Sequence, residues 1–459
     1  MNSPTGRPVV RSSEGLTHRN DMDLSCVHAE PPDGGWGWMI ALAAFLQSAL
    51  VFGVIRSFGV FFMEFMVYFG EPSTATSWIA SVTVAVLMFA SPLASALSTQ
   101  YGERPMGVIG GFLSGLGLFL ASFATSLAQL YLFIGLLTGI GGALIFSPSL
   151  ALVARYFKRR RALANALVFS GAGISSLAFS PLFQFLVDSY GWRGALLIVS
   201  GMAFNLVACG ALLRPLPSAG NAALRTAPEQ ESRWGRLASL FGLSLLYHRP
   251  FMIFSGAGVL ITAGYFMPFV HLLPHARETG FDEYQAAFLV SAVGIADIAG
   301  RIVAGWLANC GPLRLVHHLT LWALLTGVTL LMVPLGHNYA LMVTLSICYG
   351  FLASAIIPLK FSTLMEIVST DQIMGAIGLI HLMESFGALS GPPLSGWIRD
   401  ATGSYTASFQ AAGSILIAGS LVLLALPNYL PCLPAASLKP PEDCKEEEAL
   451  ASSHPPSPH

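Results

Sequence analysis

Long apolar runs, separated by short polar or charged segments, extend from Trp38 to about residue 427. A helix needs about 20 apolar residues to cross the ~30 Å hydrocarbon core of a bilayer. Runs long enough to span it occur at 38–67, 78–98, 105–125, 128–154, 162–187, 194–213, 251–273, 285–308, 316–334, 340–364, 373–397 and 406–427. The pattern predicts an all-α polytopic membrane protein with twelve transmembrane helices.

A polar segment between the sixth and seventh runs divides the chain into two stretches of equal length, 38–214 and 251–427. Near the end of the fifth run of each stretch the sequence reads P-L-x5-D-x2-G, beginning at Pro181 and at Pro393. Matched lengths and a matched motif predict an internal repeat, which is how many transporters are built. The predicted organisation is an N-terminal tail (1–37), a six-helix half (38–214), a linker (215–250), a second six-helix half (251–427) and a disordered tail (428–459).

Basic residues predict the orientation. Connections on the side of the N-terminus contain Arg or Lys at 104, 155, 158–161, 214, 225, 233, 236, 249 and 314, whereas the opposite connections contain only Arg193, Arg277 and Arg399. Because basic residues favour cytoplasmic loops, both termini, the linker and both tails are predicted to be cytoplasmic.

Composition excludes several classes of function. The chain is 54% hydrophobic and 10% charged, which is unlike a soluble enzyme, and its net charge of −1 argues against a nucleic-acid partner. Its six cysteines show no paired metal-ligand spacing. We find no nucleophile-elbow, metal or nucleotide motif, so we expect no enzyme activity, cofactor or metal.

Asp297 and Arg301 lie near the middle of the eighth run. Each charge costs about 2.5 to 3.5 kcal/mol at the centre of a membrane helix on insertion scales. The i, i+4 spacing puts both side chains on one helix face, where they can neutralise or release each other when an anion or a proton arrives. One reading is a functional site facing a protein or water interior, and the other is a static salt bridge that pins neighbouring helices.

Three further ionisable residues lie within predicted spans. Arg56 is well inside the first, Glu384 is halfway along the eleventh with His381 one turn before it, and Lys360 is near the cytoplasmic end of the tenth. Glu384 is either a second proton site, a partner for Arg56 or Arg301, or a hydrogen-bonded helix contact. Lys360 is expected to extend to the membrane surface. In the seventh span, Tyr265, Phe266 and His271 are candidates for lining a cavity.

Several segments carry a family resemblance. These are PPDGGWGWMI before the first span, ARYFKRRRALANAL between the fourth and fifth, the charged pair Asp297 and Arg301, and SGPPLSGWIRDATGSY in the eleventh. Together they resemble the monocarboxylate transporter family within the major facilitator superfamily. The resemblance implies the major facilitator fold and transport of short monocarboxylates with a proton, although some branches carry aromatic amino acids, thyroid hormones or creatine.

The resemblance also implies roles for these residues. The family commonly has lysine at the position of Arg56, where it is implicated in proton and substrate binding. Arginine stays protonated and can clamp a carboxylate, so the proton must be bound elsewhere. We therefore expect Arg56 and Arg301 to bind the substrate carboxylate, and Asp297, with Glu384 as a second candidate, to bind the proton.

The lipid bilayer is one expected partner. The resemblance implies a second, a single-span immunoglobulin-like chaperone of the basigin or embigin type. The plasma membrane is the expected location, with the Golgi membrane as the alternative. Two other functions stay open at this point: a proton-independent facilitator of another organic solute, of the aromatic amino acid or creatine class, and a non-transporting membrane scaffold.

Overall fold

The computed structural model describes residues 35–157, 161–214, 243–310, 313–336, 338–368 and 373–426. Several predictions lie outside this part of the chain: nearly all of the N-terminal tail, the basic run at 158–160, most of the linker and the C-terminal tail. Every regular element within the described ranges is helical.

We number the membrane helices α1 to α12. Their bounds are α1, Trp36–Arg56 continued by Phe58–Phe69; α2, Ser73–Tyr101; α3, Glu103–Ala121; α4, Leu127–Leu130, a π-helical segment Tyr131–Thr138 and Gly139–Tyr156; α5 and α6, together Arg161–Ala211; α7, Arg249–Glu278; α8, Glu283–Cys310; α9, Leu315–Met332; α10, Tyr339–Ala353 and Ile356–Ile367; α11, Ile373–Thr402; and α12, Tyr405–Leu423. Short 3-10 helices occupy Leu243–Tyr247 and Val333–Leu335.

The predicted fold class is confirmed, with differences at the boundaries. Ten stretches of the described chain are long and apolar enough to cross a membrane, and one of them, Leu167–Ala211, contains both α5 and α6. The ten stretches therefore contain eleven helices, and α11, which has 30 residues, is the twelfth. The predicted loop between 187 and 194 is wrong, because Gly191 alone, with a φ of 67°, separates α5 from α6.

The second six helices repeat the arrangement of the first. Between the halves, α2 packs against α11 and α5 packs against α8. These contacts are equivalent, because α8 is the counterpart of α2 in the second half and α5 is the counterpart of α11 in the first. The glycines that end the two copies of the P-L-x5-D-x2-G motif, Gly191 and Gly403, both have positive φ, 67° and 74°. Both turns need a residue without a Cβ, so the sequence repeat corresponds to a repeated backbone conformation.

We call the end of the molecule that contains the α1–α2 connection the Gly70 end, and the opposite end the Gly102 end. The two halves meet closely at the Gly70 end. The carboxylate of Asp400, on α11, accepts hydrogen bonds from the backbone N–H of Ser73 (3.1 Å) and Thr74 (2.8 Å) and from the Thr74 hydroxyl (2.5 Å). Since Pro72 precedes α2 and supplies no side-chain cap, an acid from the other half caps this helix.

Replacing Asp400 with alanine should weaken this closed end. A lost cap costs about 1 to 2 kcal/mol, and the negative charge at the helix N-terminus is lost as well. The test uses a chain whose own cysteines are replaced by serine and which has a single cysteine at the buried position Ser77. We expect this cysteine to react with a membrane-impermeant thiol reagent about five- to thirtyfold faster when Asp400 is alanine than when it is aspartate. Glu71→Ala, at an exposed acid of the same end that precedes no helix directly, is the control. Equal labelling of the Asp400→Ala and control variants would contradict the role of this cap.

Candidate functional site

A buried carboxylate lies between two guanidinium groups at the contact of the two halves. Asp297 Oδ2 is 3.3 Å from Arg56 Nη1 and 3.0 Å from Arg301 Nη2. The exposed fractions of the three side chains are 3% for Asp297, 5% for Arg56 and 11% for Arg301. The structure therefore brings together the residues predicted to bind the substrate and the first of the two predicted to bind the proton.

Helix geometry explains how the cluster forms. Asp297 and Arg301 are one turn apart on α8 and share one face. Arg56 is the last residue of the first segment of α1, directly before the interruption at Ser57. The other nitrogen of the Arg301 guanidinium, Nη1, donates to the carbonyl oxygen of Phe169 on α5 (2.9 Å), so the cluster joins α1 and α5 of the first half to α8 of the second.

Aromatic side chains of the second half surround Arg56. Its Nη2 donates to the hydroxyl of Tyr265 on α7 (3.2 Å), and its guanidinium lies 4.9 Å from the ring centre of Phe269. The hydroxyl of Tyr349, on α10, donates to the carbonyl oxygen of Tyr265 (2.8 Å). These contacts fix the position of Arg56 and add a cation–π interaction in a place that water does not reach.

The cluster has more positive than negative charge. Two guanidiniums face one carboxylate, and several of their atoms, Arg56 Nη1, Arg301 Nε and Asp297 Oδ2, have no hydrogen bond of good geometry within the described chain. A buried charge is stable only when it is paired and its polar atoms are satisfied. An incoming carboxylate would supply the missing negative charge and an acceptor for the two arginine nitrogens.

Two glycines allow α5 and α8 to touch next to this cluster. A Cβ at Gly294 would lie 2.6 Å from the carbonyl oxygen of Gly173, and a Cβ at Gly173 would lie 3.1 Å from Asp297 Oδ2. Real Cβ atoms are not found so close to a backbone oxygen, so any side chain at Gly294 would separate the helices. The close approach places the carboxylate directly at the interface between the halves.

The fourth predicted site residue, Glu384, lies elsewhere. Its Oε2 is 2.6 Å from Lys360 Nζ, and the exposed fractions of these side chains are 0% and 10%. The expectation that Lys360 extends to the membrane surface is therefore wrong, because its ammonium group turns inward to a buried carboxylate. Of the three alternatives for Glu384, the structure shows a hydrogen-bonded contact between helices, with Lys360, and among the contacts described it shows no pairing with Arg56 or Arg301. Its predicted proton role stays a prediction.

The three aromatic candidates of α7 are all buried, but only Tyr265 contacts the cluster. His271 Nε2 instead lies 3.2 Å from the carbonyl oxygen of Pro392 and 3.4 Å from Ser77 Oγ. Tyr349 was not among the predicted site residues. A tyrosine in the middle of an apolar run must find a partner for its hydroxyl, and this is the signal by which it could have been found.

Known proteins that resemble this chain in sequence or in structure are membrane transporters. Residues 40–316 and 253–450 match the Major Facilitator Superfamily. The chain is 52% identical over 412 residues to monocarboxylate transporter 13 of Bos taurus (90% of this chain and 94% of that one) and 50% identical over 411 residues to monocarboxylate transporter 13 of Rattus norvegicus (90% and 94%). Among solved structures, the nucleoside transporter NupG superposes with a TM-score of 0.66 at 14% identity, over 85% of this chain and 100% of that one, which shows a shared fold.

Proposed function

Because the chain belongs to the monocarboxylate transporter family of the major facilitator superfamily, we propose that it carries a short monocarboxylate together with a proton by alternating access. The family and the fold are those of membrane transporters and not of enzymes. The finer proposal, of lactate- or pyruvate-like substrates and of proton coupling, is supported by one arrangement of side chains.

That arrangement is the single carboxylate shared by two buried guanidiniums. When Asp297 is ionised, it occupies hydrogen-bonding positions on both Arg56 and Arg301. A proton on Asp297 removes its charge and frees both arginines for a new acceptor. Binding of the proton and binding of the substrate anion therefore favour each other, which is the physical requirement for symport.

The charge balance of the cluster supports the same proposal. The empty site, with Asp297 ionised, has one net positive charge, and so does the loaded site, with Asp297 protonated and a monocarboxylate bound. The cluster then has the same charge in both crossings of the membrane, so no net charge moves through a medium of low dielectric constant. We assign the carboxylate to Arg56 and Arg301 and the proton to Asp297.

We further propose that both termini are cytoplasmic, that the closed Gly70 end faces outward and that the protein resides in the plasma membrane. The basic residues support the first two proposals, and the family resemblance supports the third. The same resemblance supports a single-span immunoglobulin-like chaperone as a partner.

The experiment is uptake of labelled lactate and pyruvate into proteoliposomes, with and without an inward proton gradient. We expect the gradient to stimulate uptake by the unchanged protein. Asp297→Asn resembles the protonated acid in shape and charge, so we expect it to bind substrate and to show slow uptake that no longer responds to the gradient. Asp282→Asn makes the same chemical change at an exposed position before the same helix and should respond to the gradient normally.

The outcomes separate the proposals. Full gradient-dependent uptake by Asp297→Asn would remove the proton role of this residue. Equal uptake by the unchanged protein with and without the proton gradient would indicate a facilitator. Absence of lactate and pyruvate uptake would reject these substrates and lead to a screen of aromatic amino acids and creatine, before a scaffold role gained weight.

A further inference from the structure

A small cavity lies between the halves beside the charge cluster. It is bordered by α1 and α2 of the first half and by α7 and α11 of the second. The residues around it are Ile55, Ala80, Ser81, Val84, Phe266, Phe269, Val270, Ala388 and Pro392. All of these side chains are apolar except Ser81, so the cavity offers one hydroxyl group in an otherwise hydrocarbon surface.

The Ser81 hydroxyl differs from its neighbours on α2. Ser77, Thr83 and Ser91 each donate to the carbonyl oxygen four residues earlier, at 2.6, 2.8 and 2.8 Å. Hydroxyls on membrane helices commonly satisfy themselves in this way. Ser81 is 1% exposed, yet its Oγ has no hydrogen-bond partner in the described ranges. A buried hydroxyl left without a partner is unfavourable, which suggests that a bound molecule supplies one.

One side chain borders both this cavity and the cluster. Phe269 borders the cavity and also packs its ring 4.9 Å from the Arg56 guanidinium. A carboxylate held by Arg56 would therefore have its carbon chain at the entrance to this space.

We propose that Ser81 determines substrate specificity by binding the oxygen on the second carbon of a short 2-hydroxy or 2-oxo monocarboxylate. A serine hydroxyl can donate to an oxo oxygen and can either donate to or accept from a hydroxyl, so it suits both substrate types. The side chains around the cavity are otherwise apolar, the kind of surface that a methyl group prefers. This inference rests on the proposed function, because it assigns the side chain of a substrate whose carboxylate Arg56 holds.

The test compares lactate and pyruvate with propionate, which has the same carbon chain and carboxylate but no oxygen on the second carbon. Initial uptake rates are measured in proteoliposomes under one proton gradient. We expect the unchanged protein to prefer lactate and pyruvate to propionate by about three- to tenfold, the usual effect of one hydrogen bond. Ser81→Ala should bring both ratios close to one, mainly by slowing lactate and pyruvate, while propionate uptake changes little.

Ser91→Ala is the matched control, because it removes a buried hydroxyl of the same helix that already has a partner. It should leave both ratios unchanged. Propionate uptake by Ser81→Ala shows that the variant folds and transports, so unchanged lactate and pyruvate ratios in that variant would overturn the inference alone. Failure of the unchanged protein to move any of the three acids would instead overturn the proposed function, and the inference with it.

Discussion

Replacing Arg56 with alanine is expected to reduce lactate and pyruvate uptake by at least about thirtyfold, since truncating one partner of a buried, hydrogen-bonded charge pair costs about 2 to 5 kcal/mol. The change removes the donor to Tyr265 and one of the two cations that face Asp297. The remaining cluster is neutral, because Asp297 and Arg301 cancel each other, so an anion is no longer attracted. Initial rates in proteoliposomes, normalised to the amount of protein reconstituted, measure the loss.

Two further variants sharpen this test. Arg56→Lys keeps the positive charge, so we expect it to retain transport at about a tenth of the normal rate, because a single ammonium replaces a two-pronged donor. Arg104→Ala removes an exposed arginine at the Gly102 end and should have no effect. Uptake by Arg56→Ala within a factor of three of normal would show that Arg56 does not bind the substrate.

The second large effect is on stability. Glu384→Leu should lower the midpoint of thermal unfolding in detergent by roughly 3 to 5 °C, because it leaves Lys360 buried and unpaired, at a cost of about 3 to 5 kcal/mol. The double variant Lys360→Met/Glu384→Leu should recover most of this loss, since hydrophobic residues of similar volume often replace a buried ion pair without penalty. A scanning fluorescence measurement of unfolding follows both changes.

Glu283→Gln is the control for this prediction. Its partner Arg277 is bound at 2.5 Å, but both side chains are about one-third exposed or more, and such pairs contribute at most about 1 kcal/mol. A double variant as unstable as Glu384→Leu would contradict the ion-pair explanation. The double variant also decides the predicted proton role of Glu384: a stable protein that no longer responds to the proton gradient would support it, and a normal response would reject it.

Sequence reasoning succeeded where the deciding interaction is local. The apolar runs predicted twelve helices because each must satisfy its own backbone in lipid, and the i, i+4 spacing placed Asp297 beside Arg301. That Arg56 joins this pair depends on how α1 packs against α7 and α8, which no pattern within one helix contains. The depth of Arg56 in its span could still show that it needed an anionic partner somewhere.

Lys360 shows why the rest could not be predicted. Counting residues along one straight helix put it near the membrane surface. In the structure Lys360 is paired with Glu384 on α11, and a contact between two helices cannot be read from the length of one of them. The break at Gly191 was missed for a different reason: a polar stretch of sequence normally predicts a loop, but here one glycine with positive φ turns the chain.

The glycine contact between α5 and α8 has a mechanical consequence. Where Gly173 meets Gly294, the two backbones touch directly because neither glycine has a side chain, so we expect one half to rotate against the other about this point. The ends of α8 lie about 20 Å away along the helix, so each degree of rocking moves them by about 0.35 Å, while Asp297, which lies beside the contact, hardly moves. A lever of this kind leaves the geometry of the charged groups almost constant while the access routes at both ends change width.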